Sequence, residues 1–251
     1  MRKSRIAVAF AGLIALVVLT SSAGASHSWE NFHWARAANP ATLEVVDSVV
    51  GEWDSYLTPA VADWNRSSVV ELNVTPGGDS VVERTACLPI SGKIRVCNAK
   101  YADPTWLGLA TVWLDGDHIR QATAQVNDTW FDTEFYNDPN AKRHVLCQEV
   151  GHDFGLDHTY TEPTCMDDVN GLFDPAFVSP GSHDYEQLDA IYAHLDGASG
   201  GGKGAKGGPK GGGGKNHSGD CNGGSCGSTI RVWEEGDLTV VQYVLLAPAT
   251  S

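Results

Sequence analysis

Beyond its first 25 residues the sequence has no apolar run long enough to cross a bilayer, no Cys-x-x-Cys pair and little positive charge. The first absence excludes a membrane span in that stretch. The second argues against a cysteine-rich zinc site. The third is quantitative: Lys and Arg number 17 against 31 Asp and Glu, a net charge of −14. So acidic a chain is expected to avoid nucleic acid and anionic membranes. Charged residues make up 19% and hydrophobic residues 42% of the 251 positions. That is the composition of a globular protein with one well-filled core.

The N-terminus has its own character. Arg2, Lys3 and Arg5 precede "IAVAFAGLIALVVL", and "AGA" ends at Ala25. A basic start, an apolar middle and a small-x-small end read as an export signal over 1–25. A membrane anchor is the competing reading, but the run is short and Ser and Gly follow at once. Cleavage would remove three basic residues and move the net charge to −17. The expectation is a secreted, monomeric protein with no membrane span.

Six cysteines in an exported chain suggest three disulfides. They fall in close pairs: Cys87 with Cys97, Cys147 with Cys165, and Cys221 with Cys226. Sequence does not fix the connectivity. Pairing neighbours closes short local loops and is the expectation. A Cys147–Cys165 bridge would bracket the motif described below.

Residues 26–196 carry periodic segments. "ATLEVVDSVV", "VVELNVTPGG" and "KIRVCNA" read as strands, and "LGLATVWLDGDHIRQATAQVND" as two strands around a turn. "EWDSYLTPAVADWNRS" has helical spacing, with Pro59 in its first turn or kinking it. "DPNAKRHVLCQEVGHDFG" is a helix with Asp138 or Asn140 near its start and Gly155 at its end. "SHDYEQLDAIYAHL" is another, with Ser182 as N-cap and Leu188, Ile191, Tyr192 and Leu195 on one face. The fold class is α+β. Residues 197–220 are a Gly/Lys-rich linker without the means to build a core. Residues 221–251 hold a disulfide loop and a β-hairpin, "STIRVW" and "LTVVQYVLLA" around "EEGD". An isolated hairpin is marginal in water, so it should dock on the domain, a partner or a cell surface.

The chemistry concentrates in "HVLCQEVGHDFGLDHTYTEPTCMDD", residues 144–168. On a helix, Gln148 and His152 stand one turn apart on one face with Glu149 beside them. Gly155 allows a sharp turn that brings His158 back to the same point. Gln148, His152 and His158 could then supply three ligands to zinc and leave one position open. Glu149 could move a proton from an activated water to a leaving amine. His144 lies on the same face but about 12 Å from His152 along the axis, too far to share an ion. His183 begins a different helix and has no spacing argument. Taken singly, each residue has a plain alternative: a solvated glutamine, a surface carboxylate, a packed histidine, a core methionine.

Together, "QEVGHDFGLDH" and "TCMDD" resemble the metzincin motif HExxHxxGxxH and its Met-turn. Within the metzincins the chain is most similar to matrixins of the bacterial secreted type, over most of residues 40–196. The resemblance implies a mixed twisted sheet, a zinc helix, a Met-turn and a C-terminal helix. It implies a zinc endopeptidase acting on protein or peptide substrates through a water activated by Glu149. His152 and His158 would be zinc ligands, Gly155 the turn and Met166 the floor beneath the metal. Gln148 stands where the family has histidine, and an amide oxygen is the weaker donor to zinc. No tyrosine closely follows Met166, so a tyrosine ligand is not implied, and no cysteine-switch segment precedes the first strand. The reading from another class is a secreted binding protein on an inactive protease scaffold. Asp128, Asp132, Glu134 and Asp138 form an acidic stretch that either binds Ca2+ or is a solvated loop.

Overall fold

Strands and helices form where apolar spacing, turn residues and caps agree. A computed structural model describes residues 27–103, 105–168, 170–196 and 227–247. The expected export signal, the linker and the Cys221/Cys226 pair lie outside these residues.

The first half supplies β1 (His33–Trp34), β2 (Ala41–Ser48), α1 (Asp54–Trp64), β3 (Val70–Pro76), α2 (Val81–Ala86) and β4 (Lys93–Ala99). The second supplies β5 (Trp106–Asp115), β6 (His118–Asn127), α3 (Asp128–Phe131), α4 (Pro139–His152), α5 (Ser182–Ile191), β7 (Ser228–Glu235) and β8 (Leu238–Leu246). The fold is α+β, with one eight-stranded mixed sheet ordered β3-β2-β4-β6-β5-β8-β7 and β1 beside β6. Strands β2, β3, β4 and β6 are mutually parallel, and β5 is antiparallel to β6. Strands β4 and β5 are buried on both faces; β5 reads as a near-continuous apolar run, whereas β4 buries Arg95 and Asn98 among its apolar residues.

Helix α4 packs against β5, β6 and α1. Its start is fixed chemically: the Asp138 carboxylate accepts from the Asn140 and Ala141 amides at 2.8 and 3.1 Å, and Pro139 takes the first helical position. Val145, Leu146 and Val150 are wholly buried, each contributing about 1.5–3 kcal/mol. Trp64 locks α1 onto α4 by donating its indole N–H to the Cys147 carbonyl at 3.0 Å. Pro59 lies inside α1 without ending it.

Two disulfides are present. Cys87–Cys97 joins the end of α2 to β4, and Cys147–Cys165 ties α4 to the loop that carries Met166. The hairpin β7–β8 is part of the main sheet, because β8 pairs antiparallel with β5 from Trp106↔Leu246 to Leu114↔Thr239. Two expectations are corrected. Leu195 does not share the apolar face of α5. The helix ends at Ile191 and Leu195 is exposed. Ser182 is the first helical residue and Gly181 the cap, where the Asp184 carboxylate accepts from the Gly181 amide at 2.7 Å. The short elements β1, α2 and α3 were not predicted.

Candidate metal centre

The centre is assembled where α4 ends. Helix α4 is buried almost all round, and its buried set includes Gln148, Glu149 and His152. Past His152 the chain turns at Gly155, whose φ is +107°. A Cβ there would stand 2.1 Å from the Phe32 carbonyl oxygen. Glycine is therefore required twice, by backbone conformation and by the close approach of the N-terminal segment. That segment also bridges Ser28 to Leu156.

The turn returns His158 to His152. Their Nε2 atoms are 3.1 Å apart. The Leu156 carbonyl lies 2.8 Å from His152 Nδ1. A carbonyl only accepts, so Nδ1 carries the proton and Nε2 presents its lone pair. Two nitrogens on a tetrahedral zinc at 2.0–2.1 Å would be about 3.3–3.4 Å apart, close to the observed spacing. Gln148, one turn before His152, is wholly buried, and neither atom of its amide has a hydrogen-bond partner. The Glu149 carboxylate is also buried without a partner. Buried polar atoms left unpaired are costly. Gln148 stands one turn before His152 on α4 and Glu149 follows it, and an ion ligated through the Gln148 Oε1 would relieve part of that cost. Two imidazole nitrogens at this spacing, with an unpaired amide oxygen on the same helix, fit a zinc ion.

Gly108 of β5 makes room for Glu149, since a Cβ there would lie 2.1 Å from Glu149 Oε1. Burial pushes the Glu149 carboxyl well above its ordinary value. Burial and the neighbouring His158 hold His152 well below its own. Met166 is wholly buried, and its sulfur packs against Gly151, where a Cβ would approach to 2.6 Å. Met166 therefore lies against the α4 backbone beside His152. His144 points elsewhere, with Nδ1 2.8 Å from the Phe177 carbonyl. His183 stacks on His27 at 4.6 Å.

Four residues of the surroundings escaped the sequence reading. Asp153, one turn after Glu149, has both carboxylate oxygens buried without a partner, and burial followed by Glu149 raises it well above its ordinary value. Its i, i+4 spacing from Glu149 was the available signal. Tyr243 of β8 stacks flat on His152, ring centroids 4.1 Å apart and planes at 3°. Ser228 of β7 lies 3.3 Å from His158 Nδ1 and donates to Asp168. No local signal connects the hairpin to the motif, because 70 residues separate His158 from Ser228. With the hairpin in place Gln148, Glu149 and His152 are at most 1% exposed and His158 9%.

The acidic stretch is not gathered. Asp128 accepts from the Trp53 indole and the Asn98 amide, each at 2.7 Å; Asp132 pairs with Lys100 at 2.7 Å; Asp138 caps α4; Glu134 is exposed. Among the described residues the one group of three His, Cys, Asp or Glu at metal-ligand spacing is His33, His118 and Asp196; His152 and His158 are a pair, with Gln148 as the further candidate. No protein-family model matches the chain, and no curated protein matches it.

Proposed function

We propose that the protein is a secreted zinc-dependent endopeptidase of metzincin type, held closed by its own C-terminal hairpin. The observation that carries this reading is the 3.1 Å approach of the His152 and His158 Nε2 atoms beside the unpartnered Gln148 amide and Glu149 carboxylate. The two disulfides agree with export.

In this reading Gln148, His152 and His158 hold the ion. Bound zinc supplies a Lewis acid for the scissile carbonyl and for a water. Glu149 takes the proton from the attacking water and delivers it to the leaving nitrogen. The Leu156 carbonyl keeps His152 in the tautomer that faces the ion. Strand β5 would offer its edge to an extended peptide once β8 leaves it, since main-chain pairing is a general way to hold an extended chain. Tyr243 and Ser228 occupy that region in the closed form.

The burial of every ligand favours a second reading, a secreted binding protein on an inactive scaffold. The two separate on measurement. Zinc analysis of purified full-length protein, with and without His152→Ala/His158→Ala, should show one zinc lost in the variant. Unchanged zinc content would remove the α4 centre and with it the enzyme reading.

A further inference from the structure

We propose that His33, His118, His194 and Asp196 form a second metal site, of the structural zinc class, that fastens the N-terminal segment to the chain leaving α5. It shares no ligand with the α4 centre and does not depend on catalysis.

The fold brings the four together from three places. His33 of β1 and His118 of β6 are register partners in a parallel ladder, so both side chains leave the sheet on one face. Helix α5 ends at Ile191, and the chain turns back with His194 and Asp196. Asp196 Oδ1 lies 3.4, 3.2 and 3.4 Å from the Nε2 atoms of His33, His118 and His194. The Nε2 atoms of His194 and His33 are 3.2 Å apart. These four separations are near the edge of a zinc tetrahedron, about 3.3–3.4 Å for bonds of 2.0–2.1 Å; His33, His118 and Asp196 offer atoms all within 4.8 Å of one another, and His194 would close towards His118 to complete the set.

Protons sharpen the case. His33 Nδ1 is 2.7 Å from the Asn31 carbonyl, which only accepts, so Nδ1 carries the proton. Nε2 is then the His33 nitrogen turned towards Asp196 Oδ1, at 3.4 Å. Asp196 is itself aimed. Its Oδ2 accepts from the Arg36 amide at 2.9 Å, and its own amide donates to the Arg36 carbonyl at 2.8 Å. That leaves Oδ1 for the imidazoles. A ligating imidazole with its second nitrogen on a carbonyl, and a ligating carboxylate held by the backbone, are what a metal site uses to orient its ligands. Three imidazoles and one carboxylate suit zinc rather than calcium or magnesium. Four protein ligands leave no open position, which marks a structural site. His33 is buried, whereas the His194 side chain is 47% exposed and gives an ion its way in.

The site has a consequence for the α4 centre. The N-terminal segment it anchors provides the Phe32 carbonyl against Gly155 and the Ser28–Leu156 bridge. Those contacts shape the turn that presents His158.

The test is zinc content of the full-length protein by elemental analysis, after dialysis against metal-free buffer. Wild type should hold two zinc per chain. His118→Ala/His194→Ala should hold one, and so should His152→Ala/His158→Ala. If the α4 reading fails and this one stands, wild type holds one zinc, lost from His118→Ala/His194→Ala and kept by His152→Ala/His158→Ala. Zinc unchanged by His118→Ala/His194→Ala in folded protein would overturn the proposal. Should that variant not fold, His194→Gln alone replaces an exposed ligand. It should lose one zinc to a chelator at least tenfold faster than wild type. Equal rates would overturn the proposal.

Discussion

On the proposed reading Gln148 offers zinc a neutral amide oxygen where an imidazole would bind more tightly. Its side chain is wholly buried and has no hydrogen-bond partner, so it does not face solvent. Gln148→His should slow zinc release to a chelator by about 10–100-fold; an unchanged rate would mean that position 148 is not a ligand. His144 provides a check at the same scale, away from the ligands. Burial lowers its pKa to about 4, against about 6.5 in the unfolded chain. The unfolded state therefore binds the extra proton first, and this group's contribution to stability is full above pH 6.5 and is lost as pH falls towards 4. In an NMR titration the His144 ring should stay neutral at pH 5.5, and a midpoint near 6.5 would contradict its burial. Much of this scale was legible. The spacing of His152, Gly155 and His158 implied a chain that turns back on itself, and the two imidazoles do meet beyond the Gly155 turn, with Met166 against α4. Asp153 was within reach of the same i, i+4 reasoning and was missed.

At the scale of elements, α4 shows both the strength and the limit of sequence reasoning. It could be placed because Asp138, Pro139 and Gly155 punctuate it. Apolar periodicity could not have placed it, because it is buried nearly all round with polar residues among those buried. The end of α5 was misjudged for a related reason. Leu195 continues the apolar spacing, yet the chain turns at Tyr192 and carries His194 and Asp196 towards His33. The hairpin was legible as two strands around "EEGD", but its berth on β5 was not, since strand pairing across more than 100 residues leaves no local trace. That berth sets the next expectation. Tyr243→Ala removes the ring stacked on His152 and, because Tyr243 is a buried residue of β8 opposite Ala110, weakens the hold of β8 on β5. It should raise kcat/KM on an unfolded protein substrate at least several-fold without changing zinc content. Activity equal to or below wild type would show that the hairpin does not close the site.

For the whole molecule, composition set the broad class, and the structure adds how the ends of the chain serve the middle. The N-terminal segment braces the Gly155 turn, and the C-terminal hairpin completes the sheet and covers His152. Neither role could be read from composition or spacing, because both consist of contacts between distant segments. The disulfides act between them, with Cys147–Cys165 joining α4 to the Met166 loop.

The most direct test of the central claim compares two zinc-loaded proteins on one unfolded substrate: Tyr243→Ala, and Tyr243→Ala with Glu149→Ala. The account predicts that loss of Glu149 lowers the hydrolysis rate by about 100-fold or more while zinc content stays the same. Equal rates in the two proteins, or no hydrolysis by either, would contradict it.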